Sequence, residues 1–155
     1  MHEISSRKGN YIIIFRLEKR TRQNLHRFDD VDLIPGYYFY CGSAHGSGGL
    51  KSRIMRHLTK SSKKFWHIDY LKDLLFPVEI WCQTSSERNE CSFCKIFHKQ
   101  MGGEIPIKGF GSSDCKNKCE SHLVWFSQEV DLDYLFNILN SKFSGMARIH
   151  MHDLL

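Results

Sequence analysis

Two ionisable side chains lie one turn apart on the apolar side of a predicted helix. The helix spans about 49–59, and its apolar stripe consists of Leu50, Ile54 and Leu58. Arg53 and His57 follow Leu50 at i+3 and i+7, so both lie on or beside this stripe. Because an unpaired buried charge is costly, the arginine either reaches water past its apolar stem or holds an anion. The spacing leaves both interpretations open.

Tyrosine hydroxyls on two predicted strands could join this pair. The strands span about 10–17 and 37–41, with Tyr11 at the start of the first and Tyr40 near the end of the second. If the strands are neighbours in a sheet, both phenols approach the arginine and the histidine. A nearby cation favours the charged form of a phenol, which makes proton transfer easier. Core aromatics with satisfied hydroxyls are the alternative.

Four of the six cysteines have the spacing of metal ligands. Cys91-x2-Cys94 is followed by Cys115-x3-Cys119, a pattern that resembles the ligand spacing of zinc sites. An alternative ligand set replaces Cys94 by His122. Buried free thiols, which pack as small hydrophobic side chains, are a third interpretation. The other two cysteines, Cys41 and Cys82, lie in predicted strands and are expected in the core.

The distribution of charge favours a polyanionic partner. The chain has 22 Lys and Arg against 17 Asp and Glu, a net charge of +5. The stretch 51–64 contains no acidic residue, and such a basic surface suits a nucleic acid. The candidate phosphate contacts are Lys51, Arg56, Lys60, Lys63 and Lys64. A solvated basic surface without a partner is the alternative.

Length and composition exclude several classes of protein. A chain of 155 residues with 41% hydrophobic and 13% aromatic residues can bury one core and is not disordered. The longest strongly apolar run, 11–15, is far shorter than the roughly 20 residues of a membrane span. The first residues lack the apolar core of a signal peptide. We therefore expect a cytoplasmic protein with reduced thiols and no membrane partner.

The elements that must position these residues predict an α/β fold of the α+β type. We expect a small, mainly antiparallel sheet flanked by helices on both faces. The predicted strands are 10–17, 37–41, 78–82 and 121–126, and the predicted helices are 49–59, 68–75, 85–101 and 131–141. A capping box formed by Thr84 and Glu87 marks the start of the third helix. The chain is expected to form a single domain, with a core at about 9–126 and a C-terminal helical extension at about 127–155.

The segments that carry these residues resemble the core of GIY-YIG nucleases. The matching segments are Gly9-Asn10-Tyr11, then Tyr40-Cys41-Gly42-Ser43-Ala44, then Arg53 with His57 four residues on. The longer stretches 36–50, 65–71 and 109–115 are similar to the Uri-type subfamily of freestanding GIY-YIG domains, long catalogued as a domain of unknown function. Asn10 and Cys41 replace isoleucine in the two name motifs. The long gaps between Tyr11, Tyr40 and Arg53 are typical of the Uri-type group.

This resemblance implies a metal-dependent endonuclease that hydrolyses phosphodiester bonds in DNA. It implies a metal-binding glutamate on a later helix. Glu90 is the best match, and its rival Glu87 has a structural role in the predicted capping box. A single Mg²⁺ or Mn²⁺ at Glu90 would supply Lewis acidity and stabilise the leaving oxygen. The resemblance also favours Cys91, Cys115, Cys119 and His122 as the ligands of a structural Zn²⁺.

The other residues of the implied site have distinct roles. The planar guanidinium of Arg53 would pair with the phosphate. Tyr11 or Tyr40 would take a proton from water, while His57 would position Tyr11 or accept the proton itself. The sequence does not choose among these bases. The glycines of 46–49 could let a DNA backbone approach closely.

Two other functions remain open at this point. The first is a nucleic-acid-binding module that does not cut, and the second is a zinc-stabilised interaction protein. The combination of two tyrosines, an arginine, a histidine and a glutamate at workable spacing separates the nuclease from both alternatives. RNA is not excluded as a substrate. Since no separate DNA-binding domain is predicted, a protein partner could supply specificity.

Overall fold

The computed structural model describes residues 3–25, 27–59, 63–64, 66–113 and 115–154. The strands are β1 (Gly9–Leu17), β2 (Thr21–Leu25), β3 (Asp29–Leu33), β4 (Gly36–Ala44), β5 (Phe76–Thr84), β6 (Leu123–Phe126) and β7 (Met146–His150). The α-helices are α1 (Gly49–Leu58), α2 (His67–Leu71), α3 (Glu90–Lys95) and α4 (Leu132–Lys142). A π-helical turn, Ile96–Gln100, continues α3, and 3₁₀ turns follow α2 and β7.

A five-stranded antiparallel sheet forms the centre of the fold, in the order β6-β4-β1-β5-β7. A separate hairpin pairs β2 with β3. The predicted mixed fold with a mainly antiparallel sheet is confirmed. Among the described residues, every helix falls short of the length and apolar character that a membrane span requires.

The central strand β1 has a buried side chain on both faces, as its sequence predicts. Tyr11, Ile13 and Phe15 belong to a core that includes residues of α1 and α2. Ile12 and Ile14 belong to a second core that includes residues of α3 and α4. Helices therefore cover both faces of the sheet, which is why residues 11–15 of β1 are apolar on both faces rather than alternating.

Strand β4 continues through Gly42, Ser43 and Ala44, beyond the end at residue 41 that the sequence predicts. These residues pair with Tyr11, Asn10 and Gly9 of β1. Glycine is required at position 42 of this strand because the Tyr11 ring packs directly over its Cα atom. A Cβ atom at this position would lie 2.4 Å from the Tyr11 Cζ and hydroxyl oxygen, so only glycine admits the tyrosine.

Gly49, the first residue of α1, allows residues 5–7 to pass close to the start of the helix. Gly49 has φ +60°, and a Cβ atom there would lie 2.2 Å from the Ser6 carbonyl oxygen. The backbone amides of Leu50 and Lys51 donate to the carbonyls of Arg7 and Ser5, each at 2.9 Å. These bonds satisfy free donors of the first helical turn. Residues 5–7 therefore occupy the space that a side chain at position 49 would fill.

Strand β7 lies where we expected only helical structure. It pairs with β5 at the edge of the sheet, opposite the β6 edge. Of its five residues only Ile149 is buried, so the sequence lacks the alternation of a half-buried strand. Arg148 attaches β7 through two hydrogen bonds to the buried Glu79 carboxylate, at 2.5 and 3.2 Å. A long-range ion pair therefore attaches β7 to the sheet, and the sequence of this segment alone does not indicate a strand.

Candidate functional site

The two predicted tyrosines and the histidine meet on one face of the sheet. Tyr11 and Tyr40 extend from neighbouring strands with their ring centroids 6.4 Å apart. His57, on α1, lies 5.7 Å from the Tyr11 ring and 5.6 Å from the Tyr40 ring. The Tyr11 hydroxyl and the His57 Nε2 atom are 2.8 Å apart and hydrogen-bonded. The expected neighbourhood of these three side chains is therefore present.

Burial keeps these three groups uncharged at neutral pH. Tyr11 and His57 are each 1% exposed, and Tyr40 is 5% exposed. Burial raises the pKa of both phenols well above its usual value, and the nearby Arg53 guanidinium acts in the opposite direction. Burial lowers the pKa of His57 to about 3, although the Asp69 carboxylate acts to raise it. Each group can share a neutral hydrogen bond without a buried charge.

The Arg53 side chain lies beside the three rings and is only partly buried. Its guanidinium lies 4.6 Å from the centroid of the Trp66 ring. One terminal nitrogen donates to the carbonyl oxygen of Ser43 at 3.3 Å. Stacking on an aromatic ring orients a guanidinium without neutralising it. Arg53 therefore retains a positive charge at the edge of the pocket, available to an anion.

Glu90 lies at the start of α3 and reaches the end of strand β4. Its Oε2 atom accepts a hydrogen bond from the Ser43 hydroxyl. Among the described residues its Oε1 atom has no hydrogen-bond partner, and the side chain is partly exposed. The predicted capping box is wrong, because Thr84 ends β5 and Asn89 precedes the helix. The rival Glu87 lies in the exposed connection before α3.

The surroundings of Glu90 suit a hard cation. A carboxylate, the Ser43 hydroxyl and the Asn10 side-chain carbonyl lie next to one another at the ends of β1 and β4. Mg²⁺ and Mn²⁺ prefer oxygen ligands such as a carboxylate and keep several water ligands. Glu90 could therefore hold a divalent cation through its carboxylate.

A second group of ligands lies directly after Glu90. One ligand atom from each of Cys91, Cys115, Cys119 and His122 lies within 4.8 Å of the others. The Cys91 sulfur is 3.2 Å from the Cys115 sulfur and 3.4 Å from the His122 Nε2 atom. Three sulfurs and one imidazole nitrogen at this spacing can hold a metal ion. We call these four residues the thiol cluster.

Cys94, the alternative ligand, lies outside the thiol cluster. It is 3% exposed and packs in the core with Cys41 and Phe93. The CxxC interpretation is therefore wrong, and the ligand set with His122 is the one that the fold assembles. The expected core positions of Cys41 and Cys82 are confirmed.

The predicted phosphate contacts differ in their surroundings. Lys51 is exposed and pairs with Glu3 at 3.4 Å. Arg56 stacks on Trp66 at 4.7 Å from the ring centroid, and its Nε atom is buried. Lys63 and Lys64 are exposed, the latter 5.2 Å from the Tyr70 ring centroid. Lys60 lies outside the described residues.

Four side chains around the site were not among the predicted site residues. Asn10 contacts Ser43, and Ser43 contacts Glu90. Trp66 contacts both arginines and the His57 ring. His45 has a buried Nε2 atom without a hydrogen-bond partner among the described residues. Burial lowers the pKa of His45, with Arg88 acting in the same direction. One sequence signal existed, since a polar Asn10 stands in an otherwise apolar strand.

Comparison with known proteins identifies the family of the chain. A search of curated proteins and a search of solved structures each found no match. A family model described as "Domain of unknown function DUF123" matches residues 10–144. This match covers both candidate metal sites and the five central side chains. The chain therefore belongs to the DUF123 family.

Proposed function

We propose that this protein is a metal-dependent endonuclease that hydrolyses phosphodiester bonds in DNA, with a site of the GIY-YIG type. The observation that carries the proposal is the convergence of five side chains from four separate elements. Tyr11, Tyr40 and His57 form one neutral pocket, Arg53 borders it with its positive charge, and Glu90 lies beyond Ser43. A phosphodiester needs all three functions: a proton acceptor, a cation and a metal ligand.

The neutral pocket supports a role for Tyr11 in activating water. Since His57 is uncharged at neutral pH, its Nε2 atom can accept the Tyr11 hydrogen at 2.8 Å. The phenol oxygen can then take a proton from the attacking water while its own hydrogen passes to the His57 Nε2 atom. Tyr40, whose ring lies beside both groups, closes the pocket from the neighbouring strand.

Arg53 and Glu90 would act on the phosphate. The Arg53 guanidinium can pair with two phosphate oxygens, which offsets the charge that repels the nucleophile. A divalent cation bound at Glu90 supplies Lewis acidity and stabilises the leaving oxygen. Ser43 contacts both residues, its carbonyl accepting from Arg53 and its hydroxyl donating to Glu90. These contacts support a single reaction site around the end of β4.

We propose Zn²⁺ as the occupant of the thiol cluster. Three cysteines and one histidine match a closed, four-coordinate structural zinc site. Cys115 and Cys119 belong to a stretch with little regular structure between α3 and β6. A metal ion would tie that stretch to the start of α3, where Cys91 lies. Its role would be structural, since no ligand position remains for substrate.

A nicking assay on supercoiled plasmid, with branched and flapped oligonucleotides, tests the nuclease. We expect cleavage with Mg²⁺ or Mn²⁺ and none with EDTA. Glu90→Ala should abolish cleavage while DNA binding persists, because the change removes a metal ligand and leaves the basic surface. Glu87→Ala is the matched control and should cut normally, because its carboxylate makes no hydrogen bond with any other described residue.

Two results would overturn the proposal. Cleavage that survives Glu90→Ala would identify a contaminant or a different metal ligand. Tight binding to every substrate without any cleavage would instead support a nucleic-acid-binding module. The same panel with RNA oligonucleotides decides between DNA and RNA as the substrate.

A further inference from the structure

We propose that Asn10 and Ser43 are positioning residues that fix the Glu90 carboxylate for metal binding, an inference that rests on the proposed function. Asn10 and Ser43 are direct partners in the β1–β4 register. Both lie at the strand ends that face the start of α3. Neither residue is assigned a chemical role in the reaction, so their effect on catalysis would pass through Glu90.

Asn10 ties the connection before α3 to the central strand. Its side chain is 0% exposed, so its amide must find partners within the protein. The Nδ2 atom donates to the Glu87 carbonyl at 2.9 Å, and the Oδ1 atom accepts from the Asn89 amide at 2.9 Å. Because a backbone carbonyl only accepts and a backbone amide only donates, these two bonds fix the orientation of the side-chain amide.

Ser43 links Asn10 to the Glu90 carboxylate. Its hydroxyl oxygen lies 2.5 Å from the Asn10 Oδ1 atom and is also hydrogen-bonded to the Glu90 Oε2 atom. A hydroxyl has one hydrogen, whereas an amide carbonyl and a carboxylate can only accept. The Ser43 hydrogen is thus shared by two acceptors, which holds the Glu90 carboxylate against β4, while its other oxygen has no hydrogen-bond partner among the described residues.

The helix itself cannot fix Glu90. Helix α3 and the π-helical turn that continues it span only residues 90–100, with no side-chain cap at Asn89, and a helix this short is marginal without tertiary contacts. The strand-side anchors Asn10 and Ser43 act on the residues immediately before Glu90 and on its carboxylate. The anchors therefore set where a metal ligand is presented, as hydrogen-bonding partners of metal ligands commonly do.

Mn²⁺ binding followed by electron paramagnetic resonance tests this inference without relying on activity. We compare wild type with Glu90→Ala to define the Glu90-dependent ion, then measure Ser43→Ala and Asn10→Asp. Asn10→Asp keeps the shape of the side chain but removes the donor to the Glu87 carbonyl. We expect each variant to weaken this Mn²⁺ by about 10- to 100-fold and to raise the Mn²⁺ concentration for half-maximal cleavage in parallel.

Two controls separate positioning from a loss of folding. Ser43→Thr keeps the hydroxyl and should retain near wild-type Mn²⁺ affinity. Ile149→Ala truncates a buried side chain of β7, at the far edge of the sheet, and should lower the melting temperature without changing Mn²⁺ affinity. DNA binding in the absence of metal should be unchanged in Ser43→Ala.

The outcomes are distinguishable. Wild-type Mn²⁺ affinity in both Ser43→Ala and Asn10→Asp, while Glu90→Ala loses the ion, would overturn the positioning role and leave the nuclease proposal intact. Failure of wild type to bind any Glu90-dependent Mn²⁺ would overturn the proposed metal site and the positioning role with it.

Discussion

The Glu90 site, which consists of Glu90 with Ser43 and Asn10, and the thiol cluster begin at consecutive residues but differ in ligand chemistry. The Glu90 site offers a carboxylate that Ser43 and Asn10 hold near the ends of two strands. The cluster offers three sulfurs and one imidazole nitrogen from α3 and the segment before β6. Oxygen ligands select hard cations, whereas thiolates select Zn²⁺ and other soft ions.

The comparison shows how one short helix can serve two sites. Successive residues of an α-helix point about 100° apart, because one turn takes 3.6 residues. Glu90 can therefore face β4 while Cys91 faces Cys115. With the proposed ions bound, this difference in ligand type would direct a mixture of metals to separate sites. Each prediction below changes one region and leaves the other as its reference.

The largest expected effect is the loss of stability when the thiol cluster is emptied. Metal analysis should find one zinc ion per chain. Stripping it with a thiol reagent and a chelator should cost about 4 kcal/mol of unfolding free energy, the linkage value at a thousandfold excess of ligand over its dissociation constant. For a chain of this length that corresponds to a fall of roughly 10 °C in melting temperature. Calorimetry measures this change in melting temperature.

Single cysteine variants test whether this loss of stability comes from the thiol cluster. Cys115→Ser should lose zinc and reproduce the instability of the stripped protein. Cys82→Ala, in strand β5 and outside the thiol cluster, should keep the full zinc content. Full zinc content in Cys115→Ser would contradict the assignment of the cluster.

The next largest effect should come from the tyrosine that contacts His57. Tyr11→Phe removes the hydroxyl that lies 2.8 Å from His57 Nε2. We expect cleavage to slow by about 100-fold, at the low end of general acid–base contributions, with unchanged zinc content and DNA affinity. Single-turnover cleavage kinetics measure the change.

Tyr38→Phe is the control for Tyr11→Phe. Tyr38 is also buried on this face of β4, but its hydroxyl donates to the Ile34 carbonyl at 2.6 Å, away from His57. It should lose stability and keep its cleavage rate. Equal rates for both variants would remove Tyr11 from the reaction.

Acid should destabilise the protein through His57. Its pKa is lowered to about 3 by burial, whereas an unfolded histidine titrates near 6.5. The unfolded state therefore binds more protons in this window, and stability falls as pH decreases from about 6.5 toward 3. The slope from this residue is up to about 1.4 kcal/mol per pH unit. Denaturant titrations across this range measure it.

His57→Gln should flatten this pH profile. Acid also displaces metal from cysteine and histidine ligands, so the comparison is made on zinc-stripped protein. His152→Gln, at an exposed position, should keep the wild-type slope. An unchanged slope in stripped His57→Gln would contradict the burial of an uncharged imidazole.

The smallest effect concerns which region contacts DNA. Lys51, on α1, is one of the predicted phosphate contacts, whereas Lys116 is an exposed residue between two ligands of the thiol cluster. Each phosphate contact contributes about 0.9 to the slope of log affinity against log salt concentration. Lys51→Ala should reduce the slope by that amount, and Lys116→Ala should leave it unchanged. Fluorescence anisotropy measures both, and the reverse result would move the DNA to the cluster side.

Strong local patterns predicted the elements that hold the site. The apolar run of β1, the Leu50–Ile54 stripe of α1 and the aromatic start of β4 each appear as expected. These patterns work because burial follows the 2.0- and 3.6-residue periods of strands and helices. The ligand set with His122 was predicted through a family resemblance, since spacing alone left two sets open.

Other predictions were wrong because long-range contacts outweighed the local sequence pattern. Asn10 holds residues 87 and 89 outside the helix, so α3 begins later than the capping-box pattern indicated. The Tyr11 ring over Gly42 keeps 42–44 in β4 instead of a loop. Local propensity is a weak prior when tertiary contacts compete with it.

The sequence by itself determined the chemistry available to this protein: phenols, an imidazole, a guanidinium, a carboxylate and a set of thiols on predictable elements. Only the tertiary structure decided which atoms meet, such as the Ser43 hydroxyl with the Glu90 carboxylate, 47 positions apart. The reason is the register of β1 against β4, because a shift by one residue would turn Asn10, Tyr11 and their partners to opposite faces. That register is fixed by packing on both sides of the sheet, which no single segment of the sequence contains.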